Sequence, residues 1–355
     1  MPRADAAMSS GFPAIAKTWA KGALFPSAYK SAAGVWRSAC RLRQLGADMP
    51  FWISTCIRHG RPGILLHFGV APGDDLLCTA VVHELGKRGK RRIWMMSNHP
   101  DMFQGNPEVE RVVPVEEKHR RFAHAWRADS ETLEYSQLDK AADRGVSPAR
   151  HIIAEMCAQV GIEGAVEIRP RLTLTAEERQ KAAGLKGRIA IQSSGLAARF
   201  PMRNKEWIPE RFQEVVTALR GEFEFVQLGS ESDPKLDGSM DLRGRTSKRE
   251  TAAILAESLF FIGNVGLLMH LARAVECPAV ILFGGREAPW QSGYSCNINL
   301  FSPEPCAPCW RMNQCDYGRV CMTKITSENV IQAAREIASR DRKALQVDTV
   351  EVVAA

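Results

Sequence analysis

Residues 63–97, GILLHFGVAPGDDLLCTAVVHELGKRGKRRIWMMS, decide the fold. Residues 64–70 form a buried apolar run of strand length, 71–74 a glycine-bearing turn, 76–87 a helix, and 92–97 the next strand. Strand, helix, strand in that order is a βαβ unit, and a parallel sheet is expected. Residues 109–115 read as a third strand. The histidine- and arginine-rich stretch 118–127 then breaks the rhythm, and a helix resumes over 148–160 with Pro148 suited to its first position.

A charged, proline-bearing stretch, 167–187, follows, in which Thr175 and Glu178 have capping-box spacing. Beyond it the alternation starts again: strand 188–192, loop 193–204, helix 209–219, strand 224–228, helix 248–257, strand 259–262, helix 268–275, strand 279–283. The reading divides the chain into a helical N-terminal extension (1–60), an N-terminal Rossmann-like domain (61–172), a linker (173–186), a C-terminal Rossmann-like domain (187–326), and a C-terminal helix and tail (327–355). The last helix, 327–344, is placed to cross back to the first domain.

The 355 residues are 45% apolar and 25% charged, an ordinary globular composition that excludes a collagen, a disordered tail or a mini-protein. The net charge of +7 could favour an anionic ligand or membrane surface but lacks the intensity of a dedicated nucleic-acid binder. No apolar run approaches the roughly 18 residues of a membrane-spanning helix, and residues 1–11 lack the order of a secretory signal, so a cytoplasmic chain is expected. Residues 1–60 are basic and punctuated by Trp19, Trp36 and Trp52. Phe12, Ile15 and Trp19, and then Phe25, Tyr29, Ala33 and Trp36, have the spacing of amphipathic helices that could rest on an anionic bilayer, on another subunit or on the body of the protein.

Four local patterns carry chemistry. Gly73-Asp74-Asp75 follows a strand, where a carboxylate either faces a cleft or caps the next helix. Ser193-Ser194-Gly195 follows another strand and precedes Arg199, Arg203 and Lys205, a set that either neutralises a diphosphate or forms a solvated rim. Gly263-Asn264-Val265-Gly266 leads into a helix bearing Met269 and His270, a turn able to aim a helix dipole at a pyrophosphate; the histidine alone would equally be a core residue. Of the ten cysteines, Cys306, Cys309, Cys315 and Cys321 are bunched, as in a closed structural metal knuckle holding zinc or, less favoured by the spacing, iron; free thiols or a redox pair are the bland alternative.

Taken together the motifs resemble the family 9 glycosyltransferases, which include the bacterial ADP-heptose:lipopolysaccharide heptosyltransferases. The likeness spans about 64–330 and rests on collinear pieces: Gly73-Asp74-Asp75 with Thr79, Asn204-Lys205 with Trp207 and Pro209, Leu228 to Asp233, Asp241 to Thr246, Gly263-Asn264 with Met269-His270, residues 278–284, and the cysteines. It implies a GT-B architecture, two Rossmann-like domains facing across a cleft, with the acceptor on the N-terminal side and a nucleotide sugar mostly on the C-terminal side. Asp74 matches the family's general base and Lys205 the lysine that meets the departing diphosphate. Glu231 matches an acid near the nucleoside. Ser193, Ser194, Gly195, Arg199, Asn264, Gly266, Met269 and His270 fall on the donor side. No catalytic metal is implied. Where the family reads Gly-Asn-Asp-Ser, this chain has Val265 and Gly266 in place of the acid and hydroxyl.

The expected function is therefore an inverting glycosyltransferase using ADP-heptose as donor and a lipopolysaccharide, another envelope glycan, a lipid-linked or a protein acceptor. It is placed in the cytoplasm, with peripheral contact at the inner face of the inner membrane and a homo-oligomeric state as further expectations, and without a nucleic-acid partner. Two alternatives compete: a nucleotide-sugar epimerase of the same architecture, and a catalytically silent sugar-binding or assembly subunit, suggested by the altered Val265-Gly266 turn.

Overall fold

The computed structural model describes residues 26–69, 71–139, 141–340 and 348–353. The expected helix through Phe12, Ile15 and Trp19 lies outside them. The chain divides into two compact units, Met1–Arg61 and Pro62–Ala355. In the first, helix α1 (Pro26–His59) runs for 34 residues through Pro50 and exposes Met49, Ile53 and Ile57. Among the described residues no helix is long and apolar enough to cross a membrane.

The second unit is built on two parallel sheets. The first sheet uses β1 (Ile64–Phe68), β2 (Ile93–Met96), β3 (Val109–Val113) and β4 (Asp129–Leu133) in the order β3-β2-β1-β4. All three of its pairings are parallel. Helices α2 (Pro72–Lys87) and α3 (Glu117–Ala125) connect its strands. A short hairpin, β5 (Leu138–Asp139) and β6 (Arg144–Gly145), helix α4 (Ile152–Gln159) and strand β7 (Gly164–Glu167) complete this half.

After α5 (Ala176–Ala182) come β8 (Ile189–Ile191), α6 (Pro209–Leu219), β9 (Phe225–Gln227), β10 (Ser239–Asp241) and α7 (Lys248–Glu257). Then follow β11 (Phe260–Asn264), α8 (Leu267–Ala274), β12 (Ala279–Gly284), α9 (Pro289–Ser292) and β13 (Ile298–Phe301). The second sheet has six strands in the order β10-β9-β8-β11-β12-β13. Its central strands β11 and β12 are buried at every position, as expected of a parallel sheet covered on both faces. This is the expected α/β architecture of two Rossmann-like halves.

Four local expectations need correction. Helix α2 begins at Pro72, so Gly73, Asp74 and Asp75 form its first turn and not a turn before it; proline at N1 fixes φ where no hydrogen bond is lost. Residues 118–127 do not break the pattern, because most of them form α3, whose inner face buries His119, Phe122 and Ala123. Helix α4 starts at Ile152, where the His151 ring accepts a hydrogen bond from Ile153 N and caps it, leaving Pro148 outside. After a short α10 (Val320–Thr323), helix α11 (Ser327–Ala338) packs on α6, β12 and β13 and stays with the second sheet. Its apolar face, Val330, Ile331, Ala334 and Ile337, fills the same core as Phe212 and Val216. The segment that returns to the first half is β14 (Thr349–Val352), antiparallel to β7.

Candidate active site

The C-terminal ends of β1 and β4 and the first turn of α2 bring a carboxylate and a phenol together. The Asp74 carboxylate accepts from Ala71 N at 3.4 Å and is hydrogen-bonded to the hydroxyl of Tyr135. Burial and then the Asp74 charge raise the Tyr135 pKa, so the phenol stays protonated. Gly69 makes this approach possible: its φ is +50°, and a Cβ there would overlap the Asp74 carboxylate. The neighbouring Asp75 is buried and accepts from Ser97 Oγ at 2.6 Å. Desolvation lifts its pKa to about 7, with the Ser97 bond opposing and the Asp74 charge adding.

The second half supplies cations. Lys205 sits in a single 3-10 turn, Arg203–Lys205, and pairs with Glu287 beyond the end of β12. Glu287 is buried and also takes the Arg286 guanidinium and Ser292 Oγ, the latter at 2.6 Å. Burial would raise its pKa, but Lys205 and Arg286 together hold it at about 2. Burial lowers the Lys205 pKa; Glu287 and, more weakly, Asp74 oppose this, so the two expected catalytic residues share one electrostatic neighbourhood. His270 bonds the Tyr294 hydroxyl at 2.7 Å, and burial followed by the Lys205 charge lowers its pKa to about 3, leaving it neutral at pH 7.

A cavity of about 450 Å³ opens beside Lys205, walled by Ser194, Gly195, Asn264 and Gly266. Asn264 is 6% exposed, and neither atom of its amide has a protein partner, an arrangement expected of a group that serves a ligand. The wall at Ser194 and Gly195 is fixed by Glu206, which accepts from Ser194 Oγ and Gly195 N, both at 2.8 Å.

Other expected donor residues are not among those that line this cavity. Ser193 is buried and bonds Pro234 O at 2.6 Å and the Gln227 amide at 3.0 Å. Arg199 is exposed with its guanidinium 5.8 Å from the Phe200 ring centroid. Glu231 is exposed beside Gly244, which lines the cavity. Met269 is core, and His270 stands behind the cavity against Tyr294. Tyr135, Arg286 and Glu287 were not anticipated. The last two lie two and three residues beyond the strand ending at Gly284, and the rule that ligands gather at the carboxyl ends of parallel strands was the signal that could have found them.

The four bunched cysteines are free of disulfides and gather near one another: burial raises the Cys321 pKa, and Cys309, Cys315 and Cys306 add to this as neighbouring thiols. Four thiols without an oxygen ligand are a donor set suited to zinc or iron. The structure does not show the knuckle expected from the spacing. Among the described residues the group that brings three ligand atoms within 4.8 Å is His83, Glu84 and Glu167, and the cysteines make no such group. Backbone bonds fix the segment instead, Cys309 N donating to Gly285 O at 3.1 Å and Trp310 N to Arg286 O at 2.9 Å. The His83 group needs no ion: Glu84 pairs with Lys87 and Arg88, and His83 with Glu108.

The family model of glycosyltransferase family 9 (heptosyltransferase) matches residues 113–319. No curated protein matches the chain by sequence. Among solved structures, E. coli ADP-heptose LPS heptosyltransferase II superposes with a TM-score of 0.58 at 17% identity, covering 78% of this chain and 98% of that one. TibC, an iron-containing dodecameric glycosyltransferase of enterotoxigenic E. coli, gives 0.60 at 17% identity over 79% of each chain. A second structure of TibC, described as a heptosyltransferase in complex with ADP-D-beta-D-heptose, gives 0.57 at 16% identity, covering 81% of this chain and 77% of that one. These superpositions show the GT-B fold, and since the family model takes in more than half of the residues, the chain belongs to glycosyltransferase family 9 and is a glycosyltransferase.

Proposed function

We propose that the protein transfers heptose from ADP-heptose, with inversion, to a hydroxyl of a lipopolysaccharide, another envelope glycan or a protein. The observation that carries this reading is the cavity walled by Lys205, the partner of Glu287, and by the unpartnered Asn264 amide; Asp74, held by Tyr135, lies near enough for its charge to act on the same lysine. Asp74 takes the acceptor hydroxyl proton as its oxygen attacks the anomeric carbon. The bond from that carbon to the diphosphate oxygen breaks, and ADP leaves with the electron pair. Lys205 and the N-terminus of α8, entered through Gly266, meet the charge that develops. ADP-heptose is favoured because a structural neighbour binds that donor.

Cys306, Cys309, Cys315 and Cys321 are assigned as holders of a structural zinc or iron, the iron content of TibC favouring the latter. Such an ion would tie the segment together and take no part in the transfer. The dodecameric state of TibC supports a homo-oligomer here. The exposed Met49, Ile53 and Ile57 of α1 support peripheral binding at the cytoplasmic face of the inner membrane. Replacing Ile53 and Ile57 by Asp should then reduce partitioning onto anionic vesicles, and unchanged partitioning would remove the membrane from the reading.

The test of the chemistry is ADP release from ADP-heptose with a heptose-deficient lipopolysaccharide as acceptor, alongside UDP-, GDP- and CMP-sugars as donors. Asp74→Asn should lower turnover by about 10² to 10⁴ while donor affinity stays within about threefold, the usual effect of losing a general base. Wild-type turnover in that variant would reject Asp74 as the base. Release from a different donor would discard heptose.

A further inference from the structure

We propose that Trp310 is a positioning residue that sets the spacing between the two sides of the reaction centre; the inference rests on the transferase reading above for which groups react. Trp310 lies between Cys309 and Arg311, is 2% exposed, and has a left-handed backbone with φ +53°. One side of its indole meets the Tyr135 ring edge-on at 6.4 Å between centroids. The Arg286 guanidinium lies over it at 4.8 Å. Tyr135 belongs to the first half and bonds Asp74, whereas Arg286 belongs to the second and pairs with Glu287, the partner of Lys205. A single side chain therefore touches the immediate supports of the base and of the cation that receives the leaving group.

The indole itself is pinned. Its Nε1–H donates to Gln291 Oε1 at 3.0 Å, and the Gln291 amide donates in turn to Ser147 Oγ at 2.8 Å. Its backbone spans the halves as well, Trp310 N donating to Arg286 O and Trp310 O accepting from Gly145 N, each at 2.9 Å. The following residues repeat the pattern: Met312 O accepts from Asn204 N, next to Lys205, and Asn313 N and Gln314 N both donate to Asp143 in the β5–β6 turn. Trp310 does not line the donor cavity. Its loss should therefore disturb the relative placement of base and cation and leave donor binding intact. A misplacement of about 1 Å is enough to cost on the order of 10² in rate.

The test compares Trp310→Leu and Trp310→Phe with the wild type. Trp310→Leu should lower kcat by about 30- to 100-fold with KM for ADP-heptose within about threefold, rates being taken per donor-binding site so that misfolded protein does not count. Trp310→Phe, which keeps an aromatic face for Arg286 and an edge for Tyr135, should recover most of that loss. Crystal structures of both variants supply a readout independent of turnover: Tyr135 and Arg286 should be displaced in Trp310→Leu and retained in Trp310→Phe. If Trp310→Leu fails to fold, Arg286→Lys tests the other contact, since it keeps a charge beside Glu287 but removes the planar group from the indole; it should lower kcat by about tenfold at constant KM. Unmoved Tyr135 and Arg286 side chains, or unchanged kcat, would overturn the positioning role. Absence of ADP release by the wild type would instead refute the heptosyl-transfer reading, and the displacement in the crystal would still decide the role of Trp310.

Discussion

Replacing Glu287 by Gln keeps the shape of the side chain and removes its charge, leaving the Lys205 ammonium and the Arg286 guanidinium buried beside a neutral amide. The carboxyl is held at about 2 against an ordinary 4.5. Such a shift corresponds to about 3 kcal/mol of native-state stability at neutral pH, of the order found when one partner of a buried ion pair is removed. Because the folded-state pKa lies below the unfolded one, this contribution is fully present above pH 4.5 and is lost as pH falls toward 2. Thermal unfolding of wild type and Glu287→Gln should therefore differ by roughly 5–10 °C at pH 7 and converge progressively below about pH 4. The difference between the two curves reports Glu287 together with His151 and His270, whose pKa values its charge raises. A gap of the same size at pH 7 and pH 3, or no gap at either, would refute the assignment of Glu287 as the buried counter-charge.

Gly69→Ala should reduce turnover nearly as far as Asp74→Asn does, because the added methyl displaces the Asp74 carboxylate; donor affinity, read by calorimetry, should hardly change. Gly266→Ser should be accepted, since the glycine has extended backbone and nothing within 4 Å of an added Cβ. A serine N-cap on α8 should add a few tenths of a kcal/mol of stability without weakening ADP binding, and a tenfold weaker affinity would contradict the open space seen there. Cys309→Ser should lose bound metal by elemental analysis and lower the thermal midpoint; metal-free native protein would remove the structural ion from the reading.

What the sequence revealed depended on whether a feature was local. Helix α6 is legible to the residue because Pro209 opens it, and the bounds expected for α7 hold as well, its start closed by a Ser247–Glu250 capping box that the structure adds. The apolar runs of β8, β9, β11 and β12 were visible for the same reason. Helix α3 was missed because its charged outer face outweighs the three buried positions that define its inner one. In the site, Asp74 and Lys205 stand in recognisable motifs and do come into one neighbourhood. Tyr135 and Glu287 have no motif of their own. They acquire their roles through contacts with residues far away in the chain, Tyr135 with Asp74 and Glu287 with Lys205. The same holds for Ser193, whose hydroxyl is spent on Pro234 and Gln227, a fact no local pattern could register.

The return of the chain through β14 has a mechanical consequence. The halves are joined once after β7 and again before β14, and these passages lie against each other where Ile168 N donates to Asp348 O at 3.0 Å. Asp348 also accepts from Ser295 N and faces the buried Arg273, which fastens the returning strand to the second half. Asp348 therefore acts as a rivet: a single residue bonds Ile168 of the first half and Ser295 and Arg273 of the second, and pins the two at a common point.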